Sequence, residues 1–195
     1  MKKESMILFV CTGNTCRSYM AETIARAYIE SLASVPNIKI SSAGTGCYPG
    51  EPASTHARQV MAERGYANEE HQASPLTVEA IKEADLILTM TRLHREYVIR
   101  LVPEAEGKVF LLTEYAMLPV TEGITGKDTE QSEKVTEKAG KQSGKAAEQG
   151  VEQGTAIITE ITDPFGGDID VYRACAGQLA DLIPRVIDKY LSEGK

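Results

Sequence analysis

Ile7-Leu8-Phe9-Val10-Cys11-Thr12-Gly13-Asn14-Thr15-Cys16-Arg17-Ser18 decides how the rest of the chain reads. Its first four residues are a short, wholly apolar, partly β-branched run, the pattern of a strand covered on both faces in a parallel sheet. Beyond Ser18 the spacing turns helical: Met20, Ile24, Ala27 and Tyr28 share one face, with Glu22 and Arg26 elsewhere. The intervening residues therefore join the carboxyl end of a strand to the amino end of a helix. Ligands of open α/β sheets bind at such ends. A loop curling into a helix also turns several backbone N–H groups inward, which makes an anion cradle.

The same alternation continues outward. Asn37–Ser42 reads as a second strand, and Pro52–Arg64 as a helix with Gly65 after its last turn. Leu76–Ala84 is helical, Asp85–Met90 holds the buried-strand run Leu86, Ile87, Leu88, and Thr91–Leu101 is a helix stopped by Pro103. Lys108–Leu112 gives a fourth strand and Ile169–Leu191 a closing helix, which Pro184 is expected to kink or divide. Strands alternating with helices predict right-handed crossovers and a doubly wound, four-stranded parallel sheet with helices on both faces.

With 195 residues the chain reads as a single domain, residues 1–195. Between about 121 and 154 the composition shifts to Gly, Gln, Lys, Glu, Ser and Thr without aromatics, the mark of a low-complexity insertion. The whole chain is 42% apolar and 25% charged, enough for a packed core. An excess of 28 acidic over 21 basic residues argues against a general grip on nucleic acid or on an anionic membrane, while leaving room for a local anion site. No apolar stretch approaches the length of a membrane span, so a soluble, cytoplasmic protein is expected. The four cysteines, Cys11, Cys16, Cys47 and Cys175, have neither disulfide-scaffold density nor zinc-ligand spacing, and no metal site is expected.

The chemistry concentrates in the loop. Thr12, Gly13, Asn14, Thr15, Cys16, Arg17 and Ser18 would wrap a phosphate, Gly13 and Asn14 being able to take positive φ. Arg17 adds a planar guanidinium suited to a bidentate grip on phosphoryl oxygens. Cys11 stands at the floor of the cradle, where the helix terminus and Arg17 are expected to favour its thiolate. A thiolate beneath a phosphoryl group is an in-line nucleophile, and Ser18 can donate to the sulfur when it later departs. The leaving group needs a proton, and Asp163, in Thr162-Asp163-Pro164-Phe165-Gly166-Gly167, is the candidate acid and later base. Phe165 would wall the pocket.

Cys11-x5-Arg17-Ser18 near the amino terminus, Ser42-Ala43-Gly44-Thr45 and a distal Asp163-Pro164 together resemble the low-molecular-weight protein phosphatase family. The resemblance implies a flavodoxin-like fold, hydrolysis without a cofactor, Cys11 as nucleophile, Arg17 as transition-state clamp and Asp163 as general acid. It also implies that Asn14, Ser18, Ser42 and His71 brace the loop. Thr12, directly after the nucleophile, and Asp163–Gly167 look most like the bacterial protein-arginine phosphatases, whose substrates are phosphorylated protein side chains. A tyrosine phosphatase on the same machinery is the alternative. A thiol-dependent arsenate reductase is less compatible, because Asp85–Arg100 holds no relay cysteine. Two positions depart from the family pattern: Tyr19 replaces a proline that would pre-set the helix start, and the 121–154 insertion precedes the acid loop. Cys16 is a possible redox partner for Cys11, while Cys47 and Cys175 read as structural or incidental.

Overall fold

The computed structural model describes residues 4–34, 37–66, 70–118 and 160–194. In chain order these form β1 (Ser5–Cys11), α1 (Arg17–Ser31), β2 (Ile38–Gly44), α2 (Thr55–Glu63), α3 (Val78–Glu83), β3 (Leu86–Thr89), α4 (Arg92–Leu101), a 3-10 turn (Pro103–Lys108), β4 (Val109–Leu111), α5 (Leu112–Met117) and α6 (Ile169–Ser192). All of them belong to the unit made by Met1–Glu122 and Ile158–Lys195. The compositionally biased segment 121–154 lies outside the described residues.

The four strands pair in parallel in the order β2-β1-β3-β4, the doubly wound, flavodoxin-like sheet that the alternation and the resemblance anticipated. The apolar run Met6–Val10 of its first strand follows from position: β1 lies between β2 and β3, and every one of these residues is buried. Side chains alternate across it. Ile7, Phe9 and Cys11 join one core with Met20 and Ile24 of α1 and Leu179 and Ile183 of α6. Met6, Leu8 and Val10 join the other with Ile81 of α3 and Val98 of α4.

The chain leaves β1 for β2 on one side and later enters β3 on the other. The carboxyl end of β1 is therefore the topological switch point, where an open α/β sheet forms its crevice. Two strands run further toward that end than their apolar patterns suggested, because Cys11 pairs with Gly44 and carries both to the rim. The expected break at Pro184 is absent as a division: α6 is one helix of 24 residues. Ile183, Val186 and Ile187 around the proline are fully buried, and this packing holds the helix together across the missing N–H.

Candidate active site

The loop from Thr12 to Cys16 connects β1 to α1 and is fixed by Asn14. Asn14 has φ 55°, the left-handed region that an Asn side chain tolerates better than most. Its amide nitrogen donates to Ser18 Oγ at 2.9 Å and to Ser42 Oγ at 2.8 Å, and its amide oxygen accepts from the Ser74 backbone N–H at 2.8 Å. Its backbone carbonyl is 2.6 Å from His71 Nε2, so that nitrogen carries a proton. Ser42 in turn donates to Glu22 at 2.5 Å. The four bracing residues expected from the family pattern thus meet around one turn. Tyr19, where a proline was expected, packs its ring 4.9 Å from that of His71.

A second seam ties the loop to β2. The N–H groups of Thr45 and Gly46 donate to the carbonyls of Cys11 and Thr12 at 2.9 and 3.0 Å. A Cβ at Gly44 would lie 2.6 Å from the Thr12 carbonyl oxygen and 2.8 Å from Cys47 Cβ, so this approach requires glycine.

Cys11 Sγ is 2.9 Å from Ser18 Oγ and accepts from the Asn14 N–H at 3.3 Å. Because Ser18 Oγ already accepts from Asn14, its own proton is available to the sulfur. The sequence led to an expectation of a depressed Cys11 pKa, and the structure corrects it. Cys11 is 2% exposed, and burial pushes the thiol up from its ordinary value, outweighing Ser18, the Arg17 charge and Asn14. Arg17 is itself engaged elsewhere: Nη1 donates to the Ile161 carbonyl and Nη2 pairs with Asp163. The clamp and the acid are therefore brought together directly.

Cys11, Thr12, Gly13, Thr15, Arg17, Asp163 and Phe165 line one cavity of about 270 Å³. Phe165 is 79% exposed at its margin, as is Tyr48 at 80%. Tyr48 went unnoticed in the sequence, where a lone tyrosine beside Pro49 carries no signal. A larger cleft of about 680 Å³ shares Thr12, Arg17 and Asp163 with it and adds His94 and Tyr97 of α4. Cys16 lines the same cavity, and its sulfur contacts the hydroxyls of Ser54 at 3.4 Å and Tyr172 at 3.5 Å. All four cysteines are free thiols.

His94 is the other residue that sequence reading missed. It is 7% exposed, and its Nε2 lies 2.9 Å from Thr12 Oγ1. Burial, helped by the Arg17 charge, lowers it to about 4, so it is neutral at pH 7. In the unfolded chain a histidine titrates near ~6.5. Between those values only the unfolded chain binds the proton, so His94 stabilises the fold fully above about pH 6.5 and progressively less down to about pH 4. His94→Gln should reduce the stability lost between pH 7 and pH 5 by about 2 kcal/mol. Urea melts of wild type and variant at both pH values measure it.

A buried cysteine at the β1 switch point that accepts a loop N–H and shares a cavity with a paired arginine and aspartate fits the class of thiol-based phosphate-handling proteins on a flavodoxin-like fold. Residues 6–127 match the family model for low molecular weight phosphotyrosine protein phosphatases, and the chain belongs to that family. A protein-arginine-phosphatase of Geobacillus stearothermophilus is 34% identical over 187 residues, covering 96% of this chain and 97% of that protein. The probable low molecular weight protein-tyrosine-phosphatase EpsP of Ralstonia nicotianae is 37% identical over 116 residues, 60% of this chain and 76% of its own length. Among solved structures, a YwlE arginine phosphatase mutant with a phosphorylated active site serine superposes with TM-score 0.70 at 30% identity, covering 95% of each chain.

Proposed function

We propose that this protein is a cysteine-dependent phosphatase acting on phosphoarginine side chains of proteins, organised as one catalytic domain with an insertion at about 121–154. Cys11 attacks phosphorus as its thiol proton passes to the Asp163 carboxylate, the bond to the guanidino nitrogen breaks, and Asp163 hands that proton to the departing nitrogen. Arg17 leaves Asp163 to hold the equatorial oxygens together with the loop N–H groups. Water then attacks the cysteinyl phosphate, the Asp163 carboxylate takes its proton, and the sulfur departs as a thiolate that accepts from Ser18 and the Asn14 N–H. A cytoplasmic location belongs to the same reading and rests on the four free thiols, which a reducing compartment preserves.

The observation that carries the arginine assignment is Thr12, an exposed residue at the cavity wall beside Cys11. A phosphoguanidino group brings N–H donors that an aryl phosphate lacks, and Thr12 Oγ1 offers them an acceptor. Similarity to the arginine phosphatase over nearly the whole of both chains supports it. The test is kcat/KM on matched phosphoarginine and phosphotyrosine peptides. A preference for phosphoarginine is expected, and a clear preference for phosphotyrosine would replace the assignment with the tyrosine reading. Thr12→Ile should move the ratio toward phosphotyrosine by about tenfold or more, since the hydroxyl's contact is lost and the pocket narrows. An unchanged ratio would remove Thr12 from the specificity argument.

A further inference from the structure

Resting on that substrate reading, we infer that His94 is a positioning residue: held by Thr91 with its proton on Nε2, it fixes Thr12 so that the threonine hydroxyl proton points into the cavity. The argument is a count of donors and acceptors along three side chains. Thr91 caps α4, and its Oγ1 accepts the backbone N–H of His94 at 3.3 Å. Among the described residues its other partner is His94 Nδ1, at 2.9 Å. Thr91 Oγ1 also carries a proton that needs an acceptor, and among the described residues His94 Nδ1 is the one within reach, so giving it that proton satisfies the hydroxyl and makes Nδ1 the acceptor. The imidazole is neutral, so its single N–H is then on Nε2, and Nε2 donates to Thr12 Oγ1 across 2.9 Å.

The direction of this chain decides what Thr12 can offer. With one lone pair filled by His94, Thr12 keeps one lone pair and its proton for a ligand. The lone pair can take a guanidino N–H while the proton goes to a phosphoryl oxygen or a water, a paired contact that suits a phosphoguanidino group. With the opposite tautomer Thr12 would spend its proton on His94 and face the cavity as an acceptor alone. The placement of His94 supports the first arrangement, because the ring is buried against the cleft wall while Thr12 is exposed. A rigid donor behind a hydroxyl is how a mobile rotor acquires a fixed orientation.

Two measurements test this separately from the substrate assignment. The first is the 15N spectrum of the His94 imidazole in the folded wild-type protein, which needs no substrate. Protonated Nε2 with bare Nδ1 is expected, and protonated Nδ1 would overturn the proposal. The second is a double-mutant cycle in kcat/KM on a phosphoarginine peptide. His94→Phe, which keeps a ring but no polar atom, should lower kcat/KM about tenfold. His94→Gln, which places an N–H near the Nε2 position, should recover to within about threefold of wild type. In a Thr12→Val background His94→Phe should add less than about twofold. Additive effects, or failure of glutamine to rescue, would overturn the proposal. The wild-type peptide preference reports on the substrate reading alone, so failure of one is told from failure of the other.

Discussion

Cys11→Ser is expected to lower kcat by roughly four orders of magnitude or more while leaving oxyanion binding in place. The exchange keeps the size of the side chain and the Ser18 contact, but a serine hydroxyl beneath the loop is a far weaker nucleophile than a thiolate. The amides of the loop and Arg17 are untouched, so inorganic phosphate should bind the variant within a few-fold of the wild-type Kd. Calorimetry with phosphate and single-turnover kinetics on a phosphopeptide separate the two properties. A variant that retained turnover within about tenfold of wild type would remove Cys11 from the reaction. Loss of phosphate binding together with turnover would place its role in the architecture of the cradle.

Asp163→Asn should cost about two to four orders of magnitude in kcat on substrates whose leaving group must be protonated. The dependence on leaving group is the stronger test. An aryl phosphate with an acidic phenol departs without help, so the variant should lose much less activity on p-nitrophenyl phosphate than on a phosphoarginine peptide. Equal losses on both would point to a positioning effect instead. The carboxylate also pairs with Arg17, whose side chain is 4% exposed against 47% for Asp163, so the thermal melt should fall as well, and the leaving-group comparison is what isolates the acid role.

Much of this site is legible in the sequence for local reasons. The apolar run before Cys11 and the helical spacing after Ser18 place the loop, and the short alternating elements that follow place it at the rim of a parallel sheet. Asn14 is a visible candidate for positive φ because few other residue types tolerate it. What stays hidden depends on distance along the chain. His94 lies 82 residues from Thr12, and its only local signature is the capping pattern Thr91-x-x-His94, which says nothing of the ring. Cys11 was misread in its electrostatics for a similar reason. Sequence shows the helix terminus and Arg17 next to it but not the burial of the sulfur, nor the pairing of Arg17 with an aspartate 146 residues away. Pro184 misled in the other direction, since a local rule about helix interiors yields to the buried side chains on either side of it.

Gly44 sets a limit on portability. Residues 11–18 look like a self-contained module that an engineer could transplant to any junction of strand and helix. The carbonyl of Thr12 nevertheless rests against a position where even a methyl group collides, 2.6 Å away, and the side chain of Asn14 reaches Ser42 and Ser74. A graft would have to import the neighbouring strand's last three residues and the Ser74 backbone with it. Without them the octapeptide would arrive as a sequence and lose its shape.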